Sequence, residues 1–415
     1  MGVLAFSASD MHYFTADGRA ILDATSGAFC ANAGHCRAQI VNAIRAQAGE
    51  LELAPFRFAH ANAIALADRI AALAPCDLTH VYFTNSGTEA VETALKIALA
   101  FHNLRGEGTR QRLIGRQSAY HGPGFGGMAV GGVAANRKLF GTGLAGVDHL
   151  PSTYNRDKQA FTKGEPEFGA HFADELERIV ATHDCSTIAA VIVEPAVSAI
   201  DVLPPPVGYL KRLRTICDKY DILLIFDGSK SGFGRLGYAF AAERFDVLPD
   251  MSIFDKSVTS GAAPIGGVIV RDHIYNTFVR GAKDTVVLDQ GHPISAHPVA
   301  CAAGLAALDL YEKEELFARA LRLEPLWADA MHSLRGLPNV LDIRSVGLSA
   351  AIDLAPNPER RGKRGFAAMD RAFYDFELLL HAAGDRLILM PPLIVSEAEI
   401  GEIVDNTARA IKAVA

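Results

Sequence analysis

The run Ile222-Leu-Leu-Ile-Phe-Asp227 is apolar at every residue until it stops at an acid. A strand with one wet face alternates apolar and polar residues. A run without alternation reads as a strand buried on both faces, in a parallel sheet covered by helices. From about residue 50 to residue 305 short apolar strands alternate with helical runs, among them the strand Ile188–Val193 and the helix Tyr209–Lys219. After residue 305 the style changes. Leu341–Ser345 and Leu348–Leu354 read as strands, Phe366–Leu380 as a helix, Leu387–Met390 as a strand and Glu397–Val414 as a closing helix. The polar stretch Asn357-Pro-Glu-Arg-Arg-Gly-Lys-Arg364 reads as a solvated loop. A chain of 415 residues exceeds what one core holds, so two domains are expected.

Asp227 ends its strand where open α/β sheets bind ligands. Lys256 follows the short apolar strand Met251–Phe254 and precedes the turn Ala263-Pro-Ile-Gly-Gly267 and the strand Val268–Val270. A lysine held between two such elements points its amine into a cleft, where desolvation leaves it free to attack a carbonyl. The alternative is a solvated loop lysine. Tyr82-Phe-Thr-Asn-Ser-Gly-Thr-Glu-Ala90 reads as a strand, a small-residue turn and the start of the amphipathic run Ala90–Ala100. Gly87 and Thr88 then fall at a helix N-terminus, which suits a phosphate, although a simple Ser/Thr cap explains the same residues.

A net charge of −7 and a pI of about 6.1 argue against nucleic acid as the main partner. No apolar stretch is long enough to span a membrane, and no Cys/His spacing suggests zinc. The six cysteines have no paired rhythm, which leads us to expect free buried thiols in a reducing cytoplasm. Met1–Ser7 lacks a basic start and an apolar core, so no signal peptide is expected; Phe6 breaks the myristoylation pattern. Tyr13-Phe-Thr-Ala-Asp-Gly18 is a hairpin signal close to the start.

These segments resemble the class III, fold type I aminotransferases that use pyridoxal phosphate (PLP), nearest the ω-amino acid:pyruvate group. The likeness runs through Asn85-Ser-Gly-Thr-Glu-Ala-Val-Glu-Thr-Ala-Leu-Lys-Ile-Ala98, Tyr120-His-Gly122, Gly126-Gly-Met-Ala-Val-Gly-Gly132, Val193-Glu-Pro195, Gly232-Phe-Gly-Arg235, Pro249-Asp250 and Ser295-Ala-His-Pro-Val-Ala-Cys-Ala302. It implies an α/β fold with a large PLP-binding domain over 50–305 and a small α+β domain built from 1–49 and 306–415. It also implies a homodimer or dimer of dimers acting on a small amine and a keto acid. Lys256 would form the Schiff base and Asp227 would pair with the pyridine nitrogen. Ser86, Gly87 and Thr88 would hold the phosphate. Tyr120, His121 and Ser229 would flank the ring, and Phe29 and His381 would face substrate.

Several positions depart from the family pattern. The family's Asp-Glu-Val/Ile is Asp227-Gly228-Ser229 here, which loses an acid and a branched aliphatic, and Lys230 adds a charge beside the site. Asp255 and Ser257 replace small neighbours of the lysine. Strand alternation predicts that Asp255 faces away from the cofactor; if it reaches Lys256, it would keep the amine protonated. Pro293 stands at the family threonine that crosses the dimer to the phosphate, and proline offers neither hydroxyl nor N–H. His381 stands at the carboxylate-clamping arginine and lacks its two-pronged contact. Amino transfer is the expected reaction; another PLP reaction, such as decarboxylation or racemisation, and a non-catalytic relative are the alternatives.

Overall fold

In the computed structural model the backbone is described for residues 5–55, 58–141, 143–196, 199–280 and 285–415; Met1–Leu4, read above for leader signals, lie outside the described residues. The chain opens with three short antiparallel strands, β1 (Ala5–Ser9), β2 (His12–Thr15) and β3 (Ala20–Asp23). Gly18, at φ +85°, makes the β2–β3 turn that the sequence signalled.

A seven-stranded sheet follows. Its strands are β4 (Leu78–Thr84), β5 (Arg112–Arg116), β6 (Val147–Leu150), β7 (Ile188–Val193), β8 (Leu223–Asp227), β9 (Met251–Phe254) and β10 (Gly266–Arg271). Their order is β4-β10-β9-β8-β7-β5-β6. Only β10 runs antiparallel to its neighbours; the remaining pairs are parallel. Every residue of β7, β8 and β9 is buried, as unbroken apolar runs require. Helices α1 (Gly87–Leu104) and α2 (Tyr209–Tyr220) bury their apolar stripes against this sheet.

The C-terminal part holds α3 (Pro298–Lys313), β11 (Val340–Val346), β12 (Ser349–Leu354), α4 (Arg364–Phe376), β13 (Leu378–Leu379), β14 (His381–Ala383), β15 (Arg386–Leu389) and α5 (Glu397–Lys412). Its sheet runs β11-β12-β15-β14. The helix expected over Phe366–Leu380 stops early. Glu377 takes a left-handed conformation at φ +54°, and Leu378 pairs with Leu22, which extends the N-terminal sheet. Pairing between distant segments here overrides the local helical period. Ser396 and Glu399 cap α5 reciprocally.

Two buried arginines tie the parts together. Arg344 pairs with Asp201, Asp342 and Asp353 while only 3% exposed, which links β11 and β12 to the loop after β7. Arg235 donates to the carbonyls of Leu348 (2.9 Å) and Pro391 (2.6 Å) and to Ser26 Oγ and Asn32 Oδ1 (both 2.9 Å). The cysteines correct one expectation. All six are free, but Cys36 and Cys76 are exposed and only Cys217 and Cys301 are buried.

Candidate active site

Strands β8 and β9 lie side by side and parallel, with Asp227 opposite Ile253. Asp227 at the end of β8 and Lys256 just past the end of β9 therefore emerge at one edge of the sheet. They open on a cavity of about 370 Å³. Ser86, Gly87, Thr88, Tyr120, His121, Ser229 and Lys230 line the same space. Eight expected cofactor residues thus converge on one pocket from four separate stretches of chain.

Asp227 is buried and held by three bonds. His121 Nδ1 lies 2.8 Å from Oδ2, while the Ser229 amide (3.1 Å) and hydroxyl (2.6 Å) donate to Oδ1. Burial pushes its pKa up, but the bond and charge from His121, with help from Ser229, outweigh that and hold the acid below the usual range. It is a carboxylate at neutral pH. Ser229 thus gives up ring packing and instead orients the acid.

Helix α1 starts as expected, with Ser86 Oγ accepting from the Glu89 amide at 3.2 Å. The Gly87 amide, however, donates to Asp255 Oδ1 at 2.9 Å, and the Asp255 carboxylate also pairs with the Lys256 amine. The expectation that Asp255 faces away is wrong. Strand pairing ends at Phe254; Asp255 keeps an extended backbone, but Lys256 bends away into a single 3-10 turn over Lys256–Thr259, so alternation no longer separates the two side chains. Burial pulls the Lys256 amine down, but Asp255 against it outweighs that and raises it above an ordinary lysine.

Phe29 and His381 do not line the cavity. Their rings meet edge-on at 5.1 Å, and Lys230 Nζ lies 5.7 Å from the Phe29 ring centre. Burial and then the charge of Lys230 lower the His381 pKa, which favours its neutral ring at pH 7. Pro293 is exposed, outside this cavity, in a loop whose His292 approaches Glu89 at 3.9 Å. Glu194, in the Val193-Glu-Pro195 motif, carries no role in the sequence reading. It lines the cavity, accepts from the Tyr120 amide at 3.2 Å and is pushed by burial up to about 7. Its signal was the one that exposed Asp227: an acid ending an apolar run, here Ile188–Val193.

The sequence pattern of the class-III aminotransferases matches residues 4–411. The chain belongs to the class III aminotransferases. It is 51% identical over 406 residues to an omega-aminotransferase of Caulobacter vibrioides, covering 98% of this chain and 92% of the relative. It is 42% identical to a beta-alanine–pyruvate aminotransferase of Pseudomonas aeruginosa, covering 96% and 89%. A thermostable (S)-enantioselective omega-transaminase from Thermomicrobium roseum superposes with a TM-score of 0.91 at 31% identity, over 100% and 93% of the two chains. An amine transaminase from an uncultivated Pseudomonas species, solved in its PLP-bound form, gives 0.93 at 30% identity, over 100% and 96%. The fold is that of the type I PLP enzymes.

Family membership implies PLP, and the pocket of this aminotransferase fits it with one conflict. Burial leaves His121 Nε2 without a partner among the described residues, and Tyr120, the anionic Asp227 and the Lys256 amine line the same cavity, the donor set such a group would require. Close packing keeps the cradle narrow: a Cβ on Gly122 would lie 2.6 Å from Thr88 Oγ1, and one on Gly266 2.6 Å from Ser86 O. The conflict is Asp255, a carboxylate bonded to the Gly87 amide that an incoming phosphate would use. Replacing it should help. In Asp255→Ala the PLP dissociation constant, read by absorbance titration, is expected to fall by about ten-fold or more, since a charge-assisted bond is freed and a like charge removed. Unchanged or weaker binding would show that Asp255 does not oppose the phosphate.

Proposed function

We propose that this aminotransferase moves an amino group from a primary amine or ω-amino acid to a keto acid such as pyruvate, using PLP. One observation carries the reading: the Lys256 amine and the ionised Asp227 carboxylate open on one cavity at the carboxyl ends of adjacent strands. The named relatives agree with it, and none points to decarboxylation, racemisation or loss of activity.

Bound PLP supplies an aldehyde that exchanges amines and a ring that withdraws electrons. The protein supplies the rest. Lys256 Nζ must lose its proton to act as a nucleophile, and Asp255 opposes that step. Asp227 would keep a proton on the pyridine nitrogen, and the bonds from His121 and Ser229 fix the orientation of its carboxylate. Once released, Lys256 Nζ would take the proton from the amine-bearing substrate carbon and return it across the nitrogen, at the carbon that had been the aldehyde. Tyr120, which lines the cavity, would offer an aromatic face to the ring, and Gly87 and Thr88 at the start of α1 would hold the phosphate.

The same proposal includes a large domain over 50–305 and a small one from 1–49 with 306–415, supported by the pairing of β3 with β13. It includes a homodimer, for which the family resemblance is the support, and a cytoplasmic location, supported by six free cysteines. Among the described residues no helix is long and apolar enough to cross a membrane. The direct test is alanine formation from pyruvate by the PLP-loaded protein with β-alanine or a simple primary amine as donor. Alanine from neither donor would reject the reading.

A further inference from the structure

Lys230 has no role in the chemistry above, yet its side chain lines the reaction cavity beside Lys256. The two amines are close enough for each to perturb the other's proton affinity. The three acids on the described wall are already engaged. Asp255 holds Lys256 and the Gly87 amide, Asp227 holds His121 and Ser229, and Glu194 accepts from Tyr120. The ammonium of Lys230 instead lies toward the Phe29 ring, whose edge is closed by His381. His381, at the position where an arginine was expected, favours its neutral ring at pH 7. Among the described residues lining the cavity, the positive charge to which none of these acids is bonded is therefore that of Lys230, on the loop after β8.

We infer that Lys230 is the carboxylate anchor of this site, binding the acid group of an amino acid or keto acid whose amine or carbonyl exchanges with the cofactor beside Lys256. The inference rests on the proposed amino-transfer function and names the residue that selects acidic substrates within it. Burial and the charge of Lys256 lower the Lys230 pKa to about 8, which keeps the amine protonated at pH 7. A partly desolvated ammonium gives a carboxylate a strong contact, although without an arginine's fork. Small acids whose carboxylate sits within a few bonds of the reacting carbon are the class it fits.

The test compares donors that differ only in the acid. Half-reactions of the PLP-loaded protein with β-alanine and with propylamine are followed by cofactor absorbance. In Lys230→Met the ratio of β-alanine to propylamine efficiency should fall by about ten-fold or more, through KM rather than kcat, and Lys230→Arg should restore most of it. An unchanged ratio overturns the inference. So does an equal loss with both donors, which would mean that Lys230 only balances Asp255. A second measurement needs neither a variant nor turnover. Calorimetry on the native PLP-loaded protein should show butanoate binding at least about ten-fold more tightly than neutral butanamide. Equal affinities overturn the assignment even if Lys230→Met does not fold. If the native protein turns over neither amine yet still prefers butanoate, the amino-transfer reading fails while the anchor stands.

Discussion

Lys256→Ala is expected to reduce turnover below detection while leaving the fold intact. The native protein, treated with PLP and borohydride, should carry the cofactor covalently on one lysine peptide; the variant should carry none. The expectation follows from geometry. Lys256 stands just beyond β9 and lines the cavity, and its amine, the proposed nucleophile, pairs with Asp255. Lys230 makes the experiment sharper, because it is a second amine in the same pocket. Cofactor fixed to the Lys230 peptide in the native protein, or transamination surviving in Lys256→Ala, would show that the roles of the two lysines are reversed.

Asp227→Asn should cut kcat by roughly 10²-fold or more with little change in melting temperature. The amide has nearly the same shape and can still accept from the Ser229 hydroxyl, so the change removes charge and leaves packing in place. The bond from His121 and those from Ser229 keep this acid ionised, and the charge is what a protonated pyridine nitrogen requires. Because the loss should appear in kcat, single-turnover kinetics with saturating amine are the proper readout. A rate within a few-fold of the native protein would show that another group holds the ring nitrogen.

The centre of the large sheet was legible because its strands there are apolar almost throughout: β7 matches its expected bounds, and β8 and β9 shift by at most one residue. The convergence of Asp227, Lys256 and Gly87 was legible for a similar reason, since each sits at the end of a strand or the start of a helix. The errors arose where a local pattern met a distant partner. Helical period extended α4 through Leu380, yet Leu378 is claimed by Leu22. Period-two alternation sent Asp255 outward, yet the chain turns at Lys256 directly after it and the Gly87 amide takes the acid. Glu194 was visible by the same signal as Asp227, but its motif had been read only as a mark of kinship. No single-sequence pattern places Lys230 between Lys256 and Phe29, because that contact joins segments about two hundred residues apart.

Arg235 lies five residues beyond Lys230, and its guanidinium bonds reach the N-terminal segment at Ser26 and Asn32 and the C-terminal part at Leu348 and Pro391. In mechanical terms it is a rivet through three plates. If the small sheet shifts when a substrate enters, the rivet carries that shift to the loop holding Gly228, Ser229 and Lys230, whereas β9 and Lys256 belong to the stationary sheet. Closure of the site and adjustment of the spacing between the two lysines then become a single movement, and the length of an acceptable substrate is set by how far that movement goes.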